Sequence, residues 1–507
     1  MSLSVLVVGA GPAGLVAALE LARRRVDVRL IEQAAAPASG SRAKGIQPRT
    51  LEVFESLGVV EEVLTSGGPF PPWRNYRAGR VAWEKSIYEL LGIGQPAADP
   101  AVPYPETWMI PQWRTEEILR GALRRLGVEI EYHSALIALA DDGAGVTATI
   151  RRLGETERLR SSFVVAADGA ASTLRKILGV AFDGVTRDDE RFLTADVRTT
   201  GLDRSYWHNW SHPDHPAARV SICPLPGTDT YQFVAPLLPG ENMPVLELAT
   251  LQRLFDERSE GVAVTFDDAP WITVSRTNER LASRFRVGRV FLVGDAAHAV
   301  PAAGGQGLNT AVQDSHNLGW KLAMVLRGAP ERLLDSYEEE RYPIAARLMN
   351  GLKAAADNQS EVADVFQLRN NYRGLWLSEE TRPDPGTLRA GDRAPDAPLS
   401  LPDGSRPRLF EFLQDAEITA LAFGDEAVKG CNDIVGQRNP ANACRVLDVR
   451  NESPLSADAI QAIYGVAPDK ESLLVVRPDW HIGLAAENHF AERLSQYLRR
   501  LALNGMT

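Results

Sequence analysis

The sequence predicts a mixed α/β chain with a Rossmann-like nucleotide-binding domain, an inserted antiparallel sheet and a further C-terminal domain. Three observations lead there. An apolar run from Leu3 to Val8 enters the turn Gly9-Ala10-Gly11-Pro12-Ala13-Gly14. Far downstream, Val290-Phe291-Leu292-Val293 enters Gly294-Asp295 and then the glycine-rich Gly304-Gly305-Gln306-Gly307-Leu308-Asn309. Between them lies a long insertion whose pattern changes to strands and turns.

The first run is continuous rather than alternating, as expected for a parallel strand covered on both faces. Gly9 makes the tight turn, Gly11 lets the backbone approach a pyrophosphate, and Gly14 allows close helix–strand packing. A helix is predicted from Pro12 and Ala13 to about Arg25, with Leu15, Ala18, Leu19 and Ala22 on its apolar side. Its free N-terminal amides attract phosphate. A second strand, Val26 to Ile31, ends at Glu32-Gln33, where a carboxylate accepts from ribose hydroxyls and repels a 2′-phosphate.

At the second turn Asp295 ends a strand and is placed to bond a hydroxyl-bearing chain. Pro301 stiffens the loop, Gly304, Gly305 and Gly307 permit close approach of a flat ligand, and a helix is predicted from Gly307 to about Arg327. Two nucleotide-type turns in one chain point to one long ligand gripped at both, most simply FAD. No second Gly-x-Gly-x-x-Gly unit is present, so a nicotinamide donor docks transiently rather than on a domain of its own.

The glycine turn, Asp168-Gly169 with Ser172 and Arg175, and Gly294-Asp295 with Pro301 to Asn309 together resemble the single-component FAD-dependent aromatic hydroxylases. These are the enzymes related to para-hydroxybenzoate hydroxylase, phenol hydroxylase and the polyketide hydroxylases. The resemblance implies a monooxygenase that consumes NAD(P)H and O2 and hydroxylates an electron-rich aromatic, phenolic or polyketide-like, through a flavin C4a-hydroperoxide. It places Arg42 near the FAD pyrophosphate and the mobile isoalloxazine, Gln112 at the ribityl or phosphate region, and the Leu136 backbone at the adenine. It gives Asp168 to FAD and the nicotinamide donor, Asp295 to FAD, and Gly305, Gly307, Leu308 and Asn309 to the loop around the flavin ring. The Pro301 backbone falls beside the flavin C4a–N5 edge and is the one catalytic candidate. A homodimer is expected from the same family.

The domain reading follows. Residues 1–184 begin the FAD-binding domain, interrupted by a Pro- and Trp-containing stretch at 68–108; 185–280 form the substrate domain with short strands; 281–380 return to the FAD-binding domain and add helices. Gln112 to Leu126 reads as a helix, and Asp141-Asp142-Gly143 as a hairpin turn. Arg382-Pro383-Asp384-Pro385-Gly386 reads as a linker into 381–507, which resembles the thioredoxin-like C-terminal domain of the phenol-hydroxylase branch without a Cys-x-x-Cys pair. Strands are expected at 418–424, 444–449 and 472–476, with helices near 455–464 and from Glu487 to Leu501.

Composition bounds the partners. Net charge is −11, which argues against a nucleic-acid face. No run of membrane-spanning length appears, the first strand starts too early for a signal peptide, and three scattered cysteines do not make a disulfide framework. The sparse, odd set of cysteines (Cys223, Cys431, Cys444) points to a cytoplasmic location. His208, His212 and His215 lie near Pro213 and Pro216 and read as solvated loop residues rather than metal ligands. No acid–base residue stands out. Trp73, Trp83, Tyr88, Trp108, Trp207 and Phe233 are candidates for aromatic pocket walls, with core packing the plainer reading.

Two other flavin activities share these motifs. An antibiotic-inactivating hydroxylase is one; a flavin-binding redox or interaction module without turnover is the other. A halogenase would carry Trp-x-Trp-x-Ile-Pro, of which Trp108-Met109-Ile110-Pro111 is only an echo.

Overall fold

The computed structural model describes residues 3–211, 218–238, 240–259, 261–301, 305–356, 364–401, 403–414, 417–438, 444–453 and 457–501. Its nucleotide-binding sheet runs in the order Arg286–Val287, Val290–Leu292, Glu155–Ala166, Leu3–Val8, Val28–Ile31, Ile130–Glu131. The four pairings inward from Val290–Leu292 are all parallel. Val5, Leu6 and Val7 are fully buried, as an apolar run between two helix layers requires. The helix Pro12–Arg23 is two residues shorter than expected, because Arg25 turns to positive φ and redirects the chain toward Val28–Ile31. The helices Gln112–Arg125 and Gly307–Leu326 lie where the sequence puts them.

The large sheet corrects the expectation of short strands. Phe182–Thr200 and Thr265–Ala282 are long antiparallel partners, broken by register shifts, and together with Tyr231–Leu237 they form its centre. The stretch 68–108 also does more than interrupt. Trp73–Arg77 pairs in parallel with Trp207–Trp210, and Arg80–Lys85 closes the sheet edge. One face of this sheet packs Ala195, Val197, Ile222 and Phe233 against Leu251, Leu254 and Phe255 of the helix Leu248–Arg258. The opposite face, with Asp196 and Gln232, packs against the segment Ser41–Lys44.

His208 is a second correction. It sits in the strand Trp207–Trp210, buried, with Nδ1 2.8 Å from the Tyr76 hydroxyl and Nε2 2.8 Å from the Asp203 carbonyl. His212 and His215 lie outside the described residues. Among the described residues no helix is long and apolar enough to cross a membrane.

The C-terminal residues build a mixed sheet ordered Glu379–Glu380, Ile482–Ala486, Ser472–Val476, Thr419–Phe423, Arg445–Asp448. The stretch read as a linker is tied at its start, where Arg382 is buried on Glu380. The residues that follow it are anchored: Ala390, Ala394, Ala397 and Leu399 join an apolar core, and Arg393 binds Glu52 of the helix Pro48–Ser56 through both carboxylate oxygens. A buried ionic cluster completes the junction. Glu340 meets Lys321 at 2.7 Å and Arg477 at 2.7 and 2.9 Å, and Arg477 also holds Asp479 at 2.6 Å. Trp320 belongs to the same apolar cluster as Leu473, Leu484 and Tyr497 of the C-terminal sheet and its last helix.

Candidate cofactor cleft

The two glycine turns converge. A Cβ on Gly294 would stand 3.1 Å from Ala13 Cβ on the first helix and 2.9 Å from Ala311 Cβ on the helix Gly307–Leu326. Each turn leads into a helix whose N-terminus has no side-chain cap, Gly11 before Pro12–Arg23 and Gln306 before Gly307–Leu326. The leading amides of both helices are therefore left for a ligand.

The three glycines of the first turn differ in what crowds them. A Cβ on Gly9, at φ +104°, would strike the Ala167 carbonyl, and one on Gly14 would strike the Gly9 carbonyl. A Cβ on Gly11 would meet no protein atom within 4 Å, and the same holds at Gly169 beside Asp168. Gly9 and Gly14 thus serve the fold, whereas Gly11 keeps a space free. Glu32 reaches back to this turn. One carboxylate oxygen accepts from the Ala10 amide and the other from the Ala34 amide, both at 2.8 Å. Each oxygen keeps a lone pair for a ribose hydroxyl. Gln33 is exposed and lines a small recess with Ala34, His133 and Ala135. Leu136, the next residue, is buried in the core, so only its backbone is available to an adenine.

Asp168 is tied locally. It accepts from the Ser172 hydroxyl at 2.5 Å and the Leu174 amide at 3.0 Å, while Arg175 binds the carbonyls of Ala170 and Ala296 and lies over the Phe182 ring. Gln112 accepts from the Ala43 amide at 3.1 Å, which fixes the backbone next to exposed Arg42. Asn309 is fully buried and stitches three segments together. It accepts from the Gln47 amide at 2.8 Å and donates to the carbonyls of Gly45 and Gly305 at 3.0 and 2.6 Å. Gly305 has φ +64°, Gly307 and Leu308 open the helix half-buried, and Pro301 is half-buried at the loop's start. Gly304 lies outside the described residues.

Asp295 is open to water yet stands in a recess crowded enough to raise its carboxyl pKa, against the pull of His298 and Arg42. Beneath it is a cluster that sequence reasoning missed. Asp314 accepts from the Gly294 amide at 3.2 Å, faces His298 Nε2 at 2.6 Å and accepts from Arg341 Nε at 2.7 Å, all of them buried. Burial pushes the Asp314 carboxyl up, but His298 and Arg341 outweigh it and hold it below the usual range. Arg341 also donates to the Tyr372 hydroxyl and the Thr310 carbonyl. The available signal was a charged residue within the long apolar helix pattern after Gly307, with an arginine on the helix that follows.

Beside the segment Ser41–Lys44 opens a cleft of about 1200 Å³ between the nucleotide-binding side and the large sheet. Phe70, Trp113 and Trp271 line it with Asp196 and several prolines. None of the six aromatic residues named from sequence lines this cleft. Trp73 stacks on Trp207 at 4.4 Å, and Phe233 is core. Lys44 lies 4.1 Å over the Trp207 ring and donates to Gln232. Among the described residues no cluster suited to a metal ion occurs.

Comparison with known proteins agrees with this geometry. The family described as FAD binding domain matches residues 2–351. A flavin-dependent monooxygenase of Mycobacteroides abscessus is 40% identical over 509 residues, covering 98% of this chain and 100% of the relative. The 6-methylpretetramide 4-monooxygenase of Streptomyces rimosus is 37% identical, over 69% of this chain and 61% of that protein. The solved ternary complex of aklavinone-11 hydroxylase with FAD and aklavinone superposes with a TM-score of 0.83 at 27% identity, covering 99% of both chains.

Proposed function

The chain belongs to the FAD-binding-domain family of flavin-dependent aromatic hydroxylases, and on that premise we propose that it inserts one oxygen atom of O2 into an electron-rich aromatic ring at the expense of NAD(P)H. That it is a flavin-dependent monooxygenase rests on the family. The phenolic or polyketide-like substrate and the nicotinamide donor are our reading. The observation that carries it is the meeting of Gly294 with Ala13, which turns two distant nucleotide turns into one cleft with free space at Gly11.

The residues present fit FAD. Gly11 and Gly169 leave room no protein atom fills, two uncapped helix N-termini face the cleft, and Glu32 and Asp295 offer carboxylates at its two ends. In this reading Gly11 and the amides that follow it carry the pyrophosphate, with Gly9, Pro12, Ala13 and Gly14 shaping the turn; Glu32, Gln33 and the Leu136 backbone carry the adenosine; Arg42, Gln112 and Asp168 hold the middle, and Asp295 the far end. When bound, the flavin supplies acceptance of hydride from NAD(P)H and activation of O2 at its C4a atom. Pro301, Gly305, Gly307 and Leu308 shape the wall at the ring, and Asn309 holds that wall against Gly45 and Gln47. The partial positive charge of the helix Gly307–Leu326 favours an anionic ring.

The test is spectroscopic and chemical. The purified protein is expected to be yellow, to release FAD on denaturation, and to oxidise NAD(P)H faster in the presence of a phenol, with a product heavier by one oxygen atom. A colourless protein, or NAD(P)H oxidation that no aromatic compound stimulates, rejects the reading.

A further inference from the structure

We propose that Asp196, in the wall of the cleft beside Ser41–Lys44, is the acceptor that selects the aromatic ligand by one of its ring hydroxyls; this rests on the hydroxylase reading above.

Register puts Asp196 on the ligand side. It pairs across the sheet with Trp271 on one neighbour and Gln232 on the other, and Gln232 pairs in turn with Cys223. Paired residues share a face. The alternate residues Ala195, Val197, Phe233 and Ile222 point the other way, into the core. Asp196 therefore lies in a row that ends in Trp271, and both line the cleft.

Asp196 is 3% exposed. One of its oxygens accepts from the Ser41 hydroxyl at 3.0 Å, and the other has no hydrogen-bond partner. A buried carboxylate oxygen without a donor is unfavourable, and a ligand hydroxyl supplies the missing donor. Burial pushes the carboxyl up to about 6, with Ser41 and Lys44 opposing. At neutral pH it is still mainly ionised and so accepts rather than donates.

The rest of the lining sets the ligand's class. Phe70, Trp113 and Trp271, with Pro69, Pro226 and Pro270, offer flat apolar surfaces. The volume, about 1200 Å³, exceeds what a single ring fills. The arginines along the cleft are already engaged. Arg198 binds Asp229 and Asp268, Arg204 binds the carbonyls of Leu225, Thr228 and Thr230, and Arg120 pairs with Glu116. None is held ready for a phosphate, which disfavours a dinucleotide as the occupant.

The test uses the flavin-loaded protein, equilibrium dialysis, and two probes with one ring system, the first with hydroxyl donors and the second without: 2,6-dihydroxynaphthalene and its dimethyl ether. Wild type is expected to bind the diol at least tenfold more tightly than the ether. Asp196→Asn should reduce that preference below threefold, with melting temperature and flavin content unchanged. Trp271→Leu should weaken both probes together and keep the ratio. A tenfold preference surviving in Asp196→Asn overturns the proposal, as does equal binding of both probes by wild type, or displacement of the diol by NADPH. Any of these results, obtained while a phenol still gains an oxygen atom in turnover, removes the role of Asp196 and leaves the monooxygenase reading standing.

Discussion

The two turns that meet at the cofactor cleft are held in opposite ways. The first, Gly9 to Gly14, is fixed by backbone crowding: Gly14 lies against the Gly9 carbonyl and Gly9 against Ala167, with a single carboxylate, Glu32, reaching the Ala10 amide. The second, Gly294-Asp295, hangs on a buried ion cluster in which Asp314 binds the Gly294 amide, His298 and Arg341. A turn fixed by sterics tolerates no added atom at its crowded positions, Gly9 and Gly14, but carries no buried charge. A turn held by charges does not tolerate the loss of one ion.

The largest effect that tests this contrast is Asp314→Ala. It leaves Arg341 buried without its carboxylate, and about 3–5 kcal/mol of stability should be lost, read by urea unfolding. A loss below about 1 kcal/mol would show that the cluster does not hold the second turn. Gly14→Ala comes next. The added methyl must displace the Gly9 backbone, for a cost of about 1–3 kcal/mol and an apoprotein that melts early.

Acid separates the turns without mutation. The Asp314 carboxyl is held below its reference value of 3.8 in the fold, so its stabilisation is present above that value and is lost as pH falls through the lower folded value. Asp295 is shifted upward and contributes with the opposite sign, weakening the fold as pH rises from 3.8 toward its folded value. Asp314→Asn should therefore flatten the fall in melting temperature below pH 4; an unchanged profile would place acid lability elsewhere.

The smallest effect on stability falls at Gly11. Because a methyl there meets no protein atom, Gly11→Ala should change the apoprotein by no more than about 0.5 kcal/mol. It should nonetheless be purified without flavin, and added FAD should no longer raise its melting temperature. Retained yellow colour in Gly11→Ala would mean that the open space is not where the pyrophosphate lies.

This asymmetry also explains what the sequence revealed. The first turn was legible because steric demands fall on residues a few positions apart, so glycine spacing records them. The helix Gly307–Leu326 and the strand Ser472–Val476 were legible because their apolar patterns are local. The partnership of Asp314 with Arg341 leaves no period to read, nor does that of Glu52 with Arg393. The parallel pairing of Trp73–Arg77 with Trp207–Trp210 was hidden for the same reason, and 68–108 therefore read as an interruption. Long strands such as Phe182–Thr200 were obscured by the charged run Arg187 to Arg191, where the register with Thr265–Ala282 shifts. At the cleft, tryptophans were sought by type, whereas Trp113 and Trp271 matter because of what stands opposite them.

The junction between Glu340, Lys321, Arg477 and Asp479 has a consequence for how the parts of the chain depend on one another. Without Arg477, Glu340 keeps among the described residues only Lys321 as a counter-ion, and Trp320 loses C-terminal neighbours of its apolar cluster. The coenzyme-gripping part of the chain thus borrows a buried charge partner from residues that follow it in sequence.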